Sequence, residues 1–133
     1  ANLICACTTS TRPLWDGARL REGTHINAVG NFRPTERELD EATVRRARVA
    51  EDTREGALHE AGDLLLPIQA GAIGPEHILA ELAELVRPEK QLRRFPEEIT
   101  LFKSVGHALQ DLALARLAFH RARETGRGST VEW

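Results

Sequence analysis

The sequence has 133 residues, of which 41% are hydrophobic and 29% are charged. This length and composition predict one soluble globular domain and exclude collagen-like, mucin-like and coiled-coil proteins. The 18 basic and 20 acidic residues nearly cancel and are interleaved, so no patch favours nucleic acid or an anionic membrane as partner. No apolar run approaches the roughly 18 to 20 residues of a membrane span, and no basic segment precedes the first apolar stretch. We therefore expect a cytosolic protein without a signal peptide.

Apolar runs predict three strands in the first half of the chain. Residues 3–7 and 24–29 have the continuous apolar character of buried strands in a parallel sheet, and residues 48–52 predict a third, shorter strand. Cys5 and Cys7 lie two residues apart in the first run, where a disulfide bridge is geometrically poor. We expect both to be buried thiols.

Helical spacing predicts two helices among these strands. One covers residues 40–46, and Thr35 and Glu38 form a candidate capping box before it. The other follows Thr53, a candidate N-cap, and stops at Gly62. The order strand, strand, helix, strand, helix is typical of an α/β fold.

The second half of the chain is predicted to be mostly helical. Residues 75–86 begin with proline and carry apolar side chains at helical spacing, which predicts an amphipathic helix. Residues 99–102 predict a short strand, and residues 104–123 predict a long helix. Two glycines then mark a loose tail over residues 126–133.

Motifs for phosphate binding, metal binding and nucleophilic catalysis are absent from the sequence. There is no G-x-G-x-x-G string, the five histidines have neither H-E-x-x-H nor zinc-finger spacing, and G-x-S-x-G does not occur. The sequence therefore predicts no metal site, and no motif identifies a catalytic nucleophile.

Small polar residues follow two of the predicted strands. Thr8, Thr9 and Ser10 come directly after the first strand, and their hydroxyl groups can bond a ribose or a carboxamide. Gly30 follows the second strand, and a glycine lets the backbone approach a flat ligand closely. Because open α/β sheets bind ligands beyond the carboxyl ends of their strands, these segments predict one binding rim.

Five ordered strings carry more specific information than any single motif. They are CTTSTRP from Cys7, GTHINAVG from Gly23, RELD from Arg37, EAGD from Glu60 and EITLFKSVG from Glu98. Together they resemble the ornithine cyclodeaminase and mu-crystallin family, over nearly the whole chain to about residue 123.

The resemblance implies an α/β fold in which residues 1–103 are the second half of a Rossmann-type NAD(P)-binding domain, with parallel strands and crossover helices. Residues 104–125 would be a long helix that returns to a separate substrate and dimerisation domain, followed by the tail at 126–133. The family's Gly-rich fingerprint, ribose-binding acid and substrate-binding Arg and Lys would then lie upstream of Ala1. The resemblance further implies NAD or NADP as cofactor, without a metal, and a homodimer of the full-length parent.

The rim and the resemblance together assign site residues. Those expected to contact the cofactor are Thr8, Thr9, Ser10, Val29, Gly30, Asn31 and Ser104. Those expected to contact the substrate, a small amino or imino acid, are Phe32 and Val105.

Phe32 and Glu36 depart from the family's pattern. Family cyclodeaminases place an aspartate at the position of Phe32, and a phenyl ring cannot act as a general base. Glu36 stands where those enzymes have a cofactor-contacting lysine. Hydride delivery to a preformed cyclic imine demands less of the position of Phe32, because the cofactor carries the chemistry. The leading hypothesis is therefore reduction of a ketimine or pyrroline-2-carboxylate type of imino acid by NAD(P)H.

Two alternatives stay open. One is an ornithine cyclodeaminase in which Glu36 or Glu38 takes over the role of the missing aspartate. The other is an inactive fragment or a non-catalytic binding protein, and for the isolated chain we expect inactivity. The chain is also expected to self-associate, because the last predicted helix would expose an apolar stripe of Leu109, Leu112, Leu117 and Phe119.

Overall fold

The computed structural model describes residues 1–87 and 89–131. Pro88, which follows the helix predicted over 75–86, and Glu132 and Trp133, at the end of the predicted tail, lie outside the described residues. The strands are β1 (Leu3–Ala6), β2 (His25–Ala28), β3 (Ala47–Glu51), β4 (Ile78–Glu81) and β5 (Ile99–Lys103). The α-helices are α1 (Glu41–Arg46), α2 (Arg54–Glu60), α3 (Gly62–Gln69), α4 (Leu82–Val86) and α5 (Ala108–Thr125), and 3-10 turns cover Gly17–Arg19 and Pro75–His77.

Within the described residues, the strands form one parallel sheet in the order β1-β2-β5-β3-β4. β5 lies in the middle of this sheet although it is the last strand along the chain. Its Leu101 aligns with Ile26 of β2 on one side and with Val49 of β3 on the other. Because the pairings are parallel, the carboxyl ends of these strands meet at the same edge of the sheet. The prediction of an α/β fold with parallel strands is confirmed.

The hydrophobic core lies between one face of the sheet and the helices. The aligned side chains Ile26, Val49 and Leu101 are fully buried, and Val44 of α1 and Leu64 of α3 belong to the same cluster. Burying each such side chain contributes about 1.5–3 kcal/mol. This face therefore fixes the sheet and the helices that position the strand ends.

β1 differs from its prediction. It lies at the edge of the sheet with β2 as its neighbour, and Leu3 is 57% exposed. The strand ends at Ala6, and Cys5 and Cys7 are both exposed free cysteines. The predictions of a strand buried on both faces and of two buried thiols are wrong, because an edge strand in this structure lacks the neighbours that would cover it.

The helix predicted over residues 75–86 is also wrong. Residues 75–77 form a 3-10 turn, β4 follows directly, and α4 begins only at Leu82. The alternate side chains Ile78 and Ala80 are buried in the sheet, whereas a helix would have placed them on different sides. A short apolar run fits both periods, and pairing with β3 decides for the strand.

The helix starts are set by side-chain caps. Asp40 caps α1 by accepting a hydrogen bond from the Thr43 N–H at 2.8 Å, so the predicted capping box of Thr35 and Glu38 is wrong. Thr53 caps α2 as predicted, with the Gly56 N–H as donor. α2 ends before Gly62, but there the chain begins α3 instead of leaving the helical region.

α5 begins four residues later than predicted, at Ala108. Ser104 is therefore in the loop before it, and Gly106 in that loop has a φ of +90°, which favours glycine. Leu109, Leu112, Leu117 and Phe119 are 56–66% exposed, which confirms the predicted apolar stripe. Among the described residues, no helix combines the length and the apolar character needed to cross a membrane.

Candidate functional site

A cleft of about 220 Å³ lies beyond the carboxyl ends of β1 and β2. It is lined by Thr9, Ser10, Thr11, Gly30, Asn31, Phe32, Arg33 and Glu36. The two segments of the predicted rim therefore form opposite parts of one concave surface. This is the edge at which open parallel sheets bind their ligands.

The buried carboxylate of Glu38 joins the ends of the two strands. Its Oε1 accepts hydrogen bonds from the Thr8 N–H at 2.8 Å and the Thr8 hydroxyl at 2.6 Å, and its Oε2 accepts one from the Gly30 N–H at 3.1 Å. A Cβ atom on Gly30 would lie 2.3 Å from the Thr8 carbonyl oxygen, so glycine is required for this approach. The Thr8 hydroxyl thus bonds Glu38, and Thr8 is exposed but does not line the cleft.

A second buried carboxylate supports this arrangement from α3. Asp63 Oδ1 accepts hydrogen bonds from the backbone N–H groups of Glu38 at 2.7 Å and of Leu39 at 2.8 Å. Its Oδ2 lies 3.0 Å from the Nζ of Lys103, and both side chains are fully buried. The same Nζ donates to the carbonyl oxygen of Asn31. One buried ion pair thus connects the end of β5, the start of α3 and the cleft wall.

Gly62 allows α3 to come this close to the loop that follows β2. An added Cβ at Gly62 would lie 2.0 Å from the carbonyl oxygen of Glu36 and 2.4 Å from that of Arg33. Arg33 and Glu36 both line the cleft and are joined by a 3.1 Å ion pair. The absence of a side chain at Gly62 therefore lets the loop that carries Arg33 and Glu36 pack directly against the start of α3.

Asn31 is 4% exposed although it lines the cleft. Its Oδ1 accepts a hydrogen bond from the Arg33 N–H at 2.7 Å, which fixes the orientation of the amide. Its Nδ2 is buried and has no acceptor among the described residues. Leaving such a donor unpaired costs about 1–3 kcal/mol.

The loop from Ser104 to Gly106 is held by Asp52 at the end of β3. Asp52 Oδ2 accepts hydrogen bonds from the Ser104 hydroxyl at 2.8 Å and from the backbone N–H groups of Val105 at 3.0 Å and Gly106 at 2.9 Å. Val105 lines a separate depression with His59 and His107. Neither Ser104 nor Val105 lines the cleft, although the Ser104 N–H donates to the last residue of β2, Ala28.

The cleft thus brings together part of the predicted site. Of the residues predicted to contact cofactor or substrate, those that line it are Thr9, Ser10, Gly30, Asn31 and Phe32. The Ser10 hydroxyl donates to the Arg12 carbonyl at 2.8 Å, and the Phe32 ring is 55% exposed. Val29 is 44% exposed and lies outside the lining.

Four charged residues position this region: Glu38, Asp52, Asp63 and Lys103. The sequence suggested Glu38 only as part of a capping box or as a replacement catalytic acid, and it did not predict a role for the other three. Each is at most 6% exposed. Asp52 and Lys103 each stand at the end of an apolar strand, which is a signal for a buried charge. Glu38, Asp63 and Lys103 also fall within the strings that carry the family resemblance.

Glu51, at the end of β3, is a further buried acid at this edge. Burial raises the pKa of its carboxyl to about 7. The positive charge of Arg54 opposes this rise, and the negative charges of Glu81 and Asp52 add to it. Neither carboxyl oxygen has a hydrogen-bond partner among the described residues. Glu51 is therefore largely protonated below neutral pH.

Residues 1–87 and 89–131 contain no group of three or more His, Cys, Asp or Glu side chains arranged to hold a metal ion. The arrangement they do contain is a parallel sheet with a small, mostly neutral cleft at its carboxyl edge. These features define an α/β protein of the Rossmann type. The model of the ornithine cyclodeaminase/mu-crystallin family matches residues 1–126, and the chain belongs to that family.

Three relatives illustrate the range of the family. A Delta(1)-pyrroline-2-carboxylate reductase of Bacillus cereus is 40% identical over 134 residues, covering 100% of this chain and 41% of that protein. The structure of Thermococcus litoralis Delta(1)-pyrroline-2-carboxylate reductase, in complex with NADH and L-proline, has a TM-score of 0.88 and 46% identity, covering 97% of this chain and 40% of that one. A probable ornithine cyclodeaminase from Bordetella pertussis has a TM-score of 0.81 and 38% identity, covering 96% and 41%.

The chain thus spans about 40% of the length of the proteins it matches. The covered part holds the whole cleft at the ends of β1 and β2.

Proposed function

We propose that the protein carrying this chain reduces a small cyclic imino acid of the pyrroline-2-carboxylate type, with NADH or NADPH as the hydride donor. The observation that supports this most is the cleft at the ends of β1 and β2, in a fold with a TM-score of 0.88 to a reductase in complex with NADH and L-proline. In Rossmann-type sheets this edge receives the dinucleotide. We further propose that the nicotinamide end enters the cleft.

The residues present fit such a group. Gly30 lines the cleft with backbone that carries no side chain, and the buried Nδ2 of Asn31 lacks an acceptor among the described residues. The Phe32 ring supplies an apolar surface at the mouth of the cleft. When bound, the cofactor supplies a hydride to the imine carbon, and a proton on the imine nitrogen completes the amine.

The chain's own residues would act by positioning. The Glu38 bonds to Thr8 and Gly30 and the Lys103 bond to Asn31 hold both sides of the cleft at fixed separation. Thr9, Ser10, Gly30 and Asn31 are the residues we propose for cofactor contact, and Phe32 for substrate contact. Val29, Ser104 and Val105 do not line the cleft, so a role for them requires a ligand that extends beyond it.

The apolar stripe of α5 supports a proposal about the rest of the protein. The exposed side chains Leu109, Leu112 and Leu117 would be covered by a separate substrate and dimerisation domain to which this helix leads. Residues 1–103 would then be the second half of the dinucleotide-binding domain, in a cytosolic homodimer.

The alternative function is ornithine cyclodeaminase, favoured by the 38% identity to the Bordetella pertussis protein. Either Glu36 or Glu38 would then have to replace the missing base. Glu38 is fully buried and accepts three hydrogen bonds, and Glu36 is paired with Arg33. Both carboxylates are thus engaged within the protein, which supports the reductase.

Activity assays separate these functions. The whole gene product is incubated with NADH or NADPH and pyrroline-2-carboxylate while absorbance at 340 nm is followed, and ammonia release from ornithine is measured in parallel. We expect cofactor oxidation without ammonia release. Ammonia release by the unaltered protein would establish the cyclodeaminase instead.

Two further samples complete the experiment. A Phe32→Asp variant tests whether a carboxylate at this position introduces ammonia release. The 133-residue chain alone, which we expect to be inactive, tests whether residues outside it are needed. Inactivity of the whole gene product in both assays, with no binding of either cofactor, would favour a non-catalytic protein.

A further inference from the structure

The ion pair between Lys103 and Asp63 is buried at the carboxyl edge of the sheet. Lys103 is the last residue of β5, its Nζ lies 3.0 Å from the Oδ2 of Asp63, and both side chains are fully buried. Removing two charges from water is costly, and the attraction between them offsets that cost only where hydrogen bonds satisfy their remaining atoms. The value of this pair to the fold therefore depends on its hydrogen bonds.

Those hydrogen bonds are incomplete. Asp63 Oδ2 has no hydrogen-bond partner among the described residues, although the ammonium of Lys103 is close to it. A lysine ammonium has three N–H donors, and the hydrogen-bond acceptor that Lys103 has within residues 1–87 and 89–131 is the carbonyl oxygen of Asn31. Replacing such a pair by uncharged side chains of similar volume is often neutral for stability. The two charges thus point to a role other than stability.

The bond from Lys103 to Asn31 acts on the wall of the cleft. Asn31 is 4% exposed and lines the cleft, and the exposed ring of Phe32 follows it directly. The Asn31 side chain already accepts a hydrogen bond from the Arg33 N–H at 2.7 Å. Because a charged donor holds its carbonyl oxygen as well, this stretch of backbone is fixed at two points. Lys103 aligns with Ala28, the last residue of β2, so the central strand sets where the wall begins.

We propose that Lys103 is a positioning residue for the reduction, which acts by holding the Asn31 carbonyl and with it the cleft wall that carries Phe32. Its ion pair with Asp63 compensates the buried charge, and the reaction does not depend on it. This inference rests on the proposed function, because it takes the nicotinamide ring and the imino acid to meet in this cleft. Hydride transfer needs the two reacting carbons in close contact, and a displacement of about 1 Å lowers the rate on the order of 100-fold.

Two single variants separate the two contacts of Lys103. Both Lys103→Met and Asp63→Asn break the ion pair, but the bond to the Asn31 carbonyl is lost only from Lys103→Met. Asparagine at position 63 keeps an oxygen for the N–H groups of Glu38 and Leu39. The whole gene product is loaded with NADH and mixed with saturating pyrroline-2-carboxylate, and the decay of absorbance at 340 nm gives the rate constant of a single turnover. We expect this rate constant to fall roughly 10- to 100-fold in Lys103→Met and to change less than about twofold in Asp63→Asn.

The single-turnover rate constant distinguishes positioning from a loss of folded protein. A structural role alone would reduce the amplitude of the decay, because unfolded molecules do not react, and would leave the rate constant unchanged. The double variant Lys103→Met/Asp63→Asn carries neither of the two charges, so it should unfold at a higher temperature than Lys103→Met and still be as slow. Ile99→Ala is the matched control: it weakens the core at the other end of β5 and should keep the natural rate constant.

The outcomes separate this inference from the proposed function. It is overturned by a folded double variant that keeps the natural rate constant, and equally by a double variant that does not fold, because Lys103 would then be needed for stability itself. A slow Ile99→Ala variant, or an Asp63→Asn variant as slow as Lys103→Met, would overturn it too, since the rate would then follow stability or the ion pair. In each of these cases the proposed function stands. A natural protein that does not oxidise NADH with the imino acid would overturn both.

Discussion

The buried acid at the end of β3 makes stability depend on pH in an unusual direction. Glu51 is fully buried, and the pKa of its carboxyl rises from 4.5 to about 7. The folded state therefore holds the proton more tightly than the unfolded chain, so the stability is fully present below pH 4.5 and is lost as pH rises through 7. Since one pKa unit corresponds to about 1.4 kcal/mol, the loss between pH 4.5 and pH 8 approaches about 3 kcal/mol.

Replacing Glu51 with glutamine tests this reasoning. Glutamine keeps the shape of the protonated carboxyl but cannot ionise, so Glu51→Gln should be more stable than the natural sequence at pH 8 by about 3 kcal/mol and similar to it at pH 4.5. Urea unfolding followed by circular dichroism at several pH values measures the difference. Other titrating groups cancel in that difference because both proteins carry them.

A control variant and a direct titration complete the test. Glu55→Gln changes an exposed carboxylate in the first turn of α2 and should leave the pH dependence as it is. The reasoning is refuted if the free energies of unfolding of Glu51→Gln and the natural sequence run parallel from pH 4.5 to pH 8. A nuclear magnetic resonance titration that places the Glu51 midpoint below pH 5 would refute it equally.

Three further changes test other parts of the structure. Lys103→Met leaves the buried Asp63 carboxylate without its partner and should lower the free energy of unfolding in urea by about 3–5 kcal/mol. Adding Asp63→Asn to this variant should recover part of the loss. If Lys103→Met were as stable as the natural sequence, the ion pair would be unimportant for stability. Gly30→Ala forces a Cβ atom against the Thr8 carbonyl oxygen and should lower the free energy of unfolding by about 1–3 kcal/mol, which a lowered Tm would show. An unchanged Tm would mean that the ends of β1 and β2 separate easily. The double variant Leu112→Glu/Leu117→Glu should self-associate less than the natural 133-residue chain in light scattering, without a lower Tm. A natural chain that is monomeric in the same measurement would contradict this prediction.

Local patterns were sufficient to predict most of the strands. The runs at 24–29, 48–52 and 99–102 are bounded by polar or turn-forming residues, and each overlaps a strand of the structure to within one residue at either end. The two rim segments were also predicted to lie together, because parallel strands bring their carboxyl ends to one edge. The apolar run at Ile78 was misassigned because four residues are too few to separate the two periods, and the neighbouring strand decides.

The supporting charges depend on partners that are distant along the chain. Lys103 contacts Asn31 across 72 positions, and the Ser104 hydroxyl bonds Asp52 across 52 positions. The position of Lys103 and Asp52 at the end of an apolar strand indicates burial, but nothing local in the sequence identifies the distant group that each of them contacts. The side-chain directions of Ser104 and Thr8 follow from these distant acids, which is why the hydroxyl groups predicted to face a ligand bond Asp52 and Glu38.

The central position of β5 has a consequence for how the ligand cleft is assembled. Before β5 is in place, β1 and β2 can pair, and so can β3 and β4, but within the described residues these two pairs share no strand contact. β5, which follows the other four strands along the described chain, joins the two pairs and also brings Lys103 to the loop that carries Asn31. During synthesis, the cleft therefore cannot reach its final form until residues 99–103 are available, and a chain that stops short of Ile99 would leave two separate strand pairs, each with an open edge.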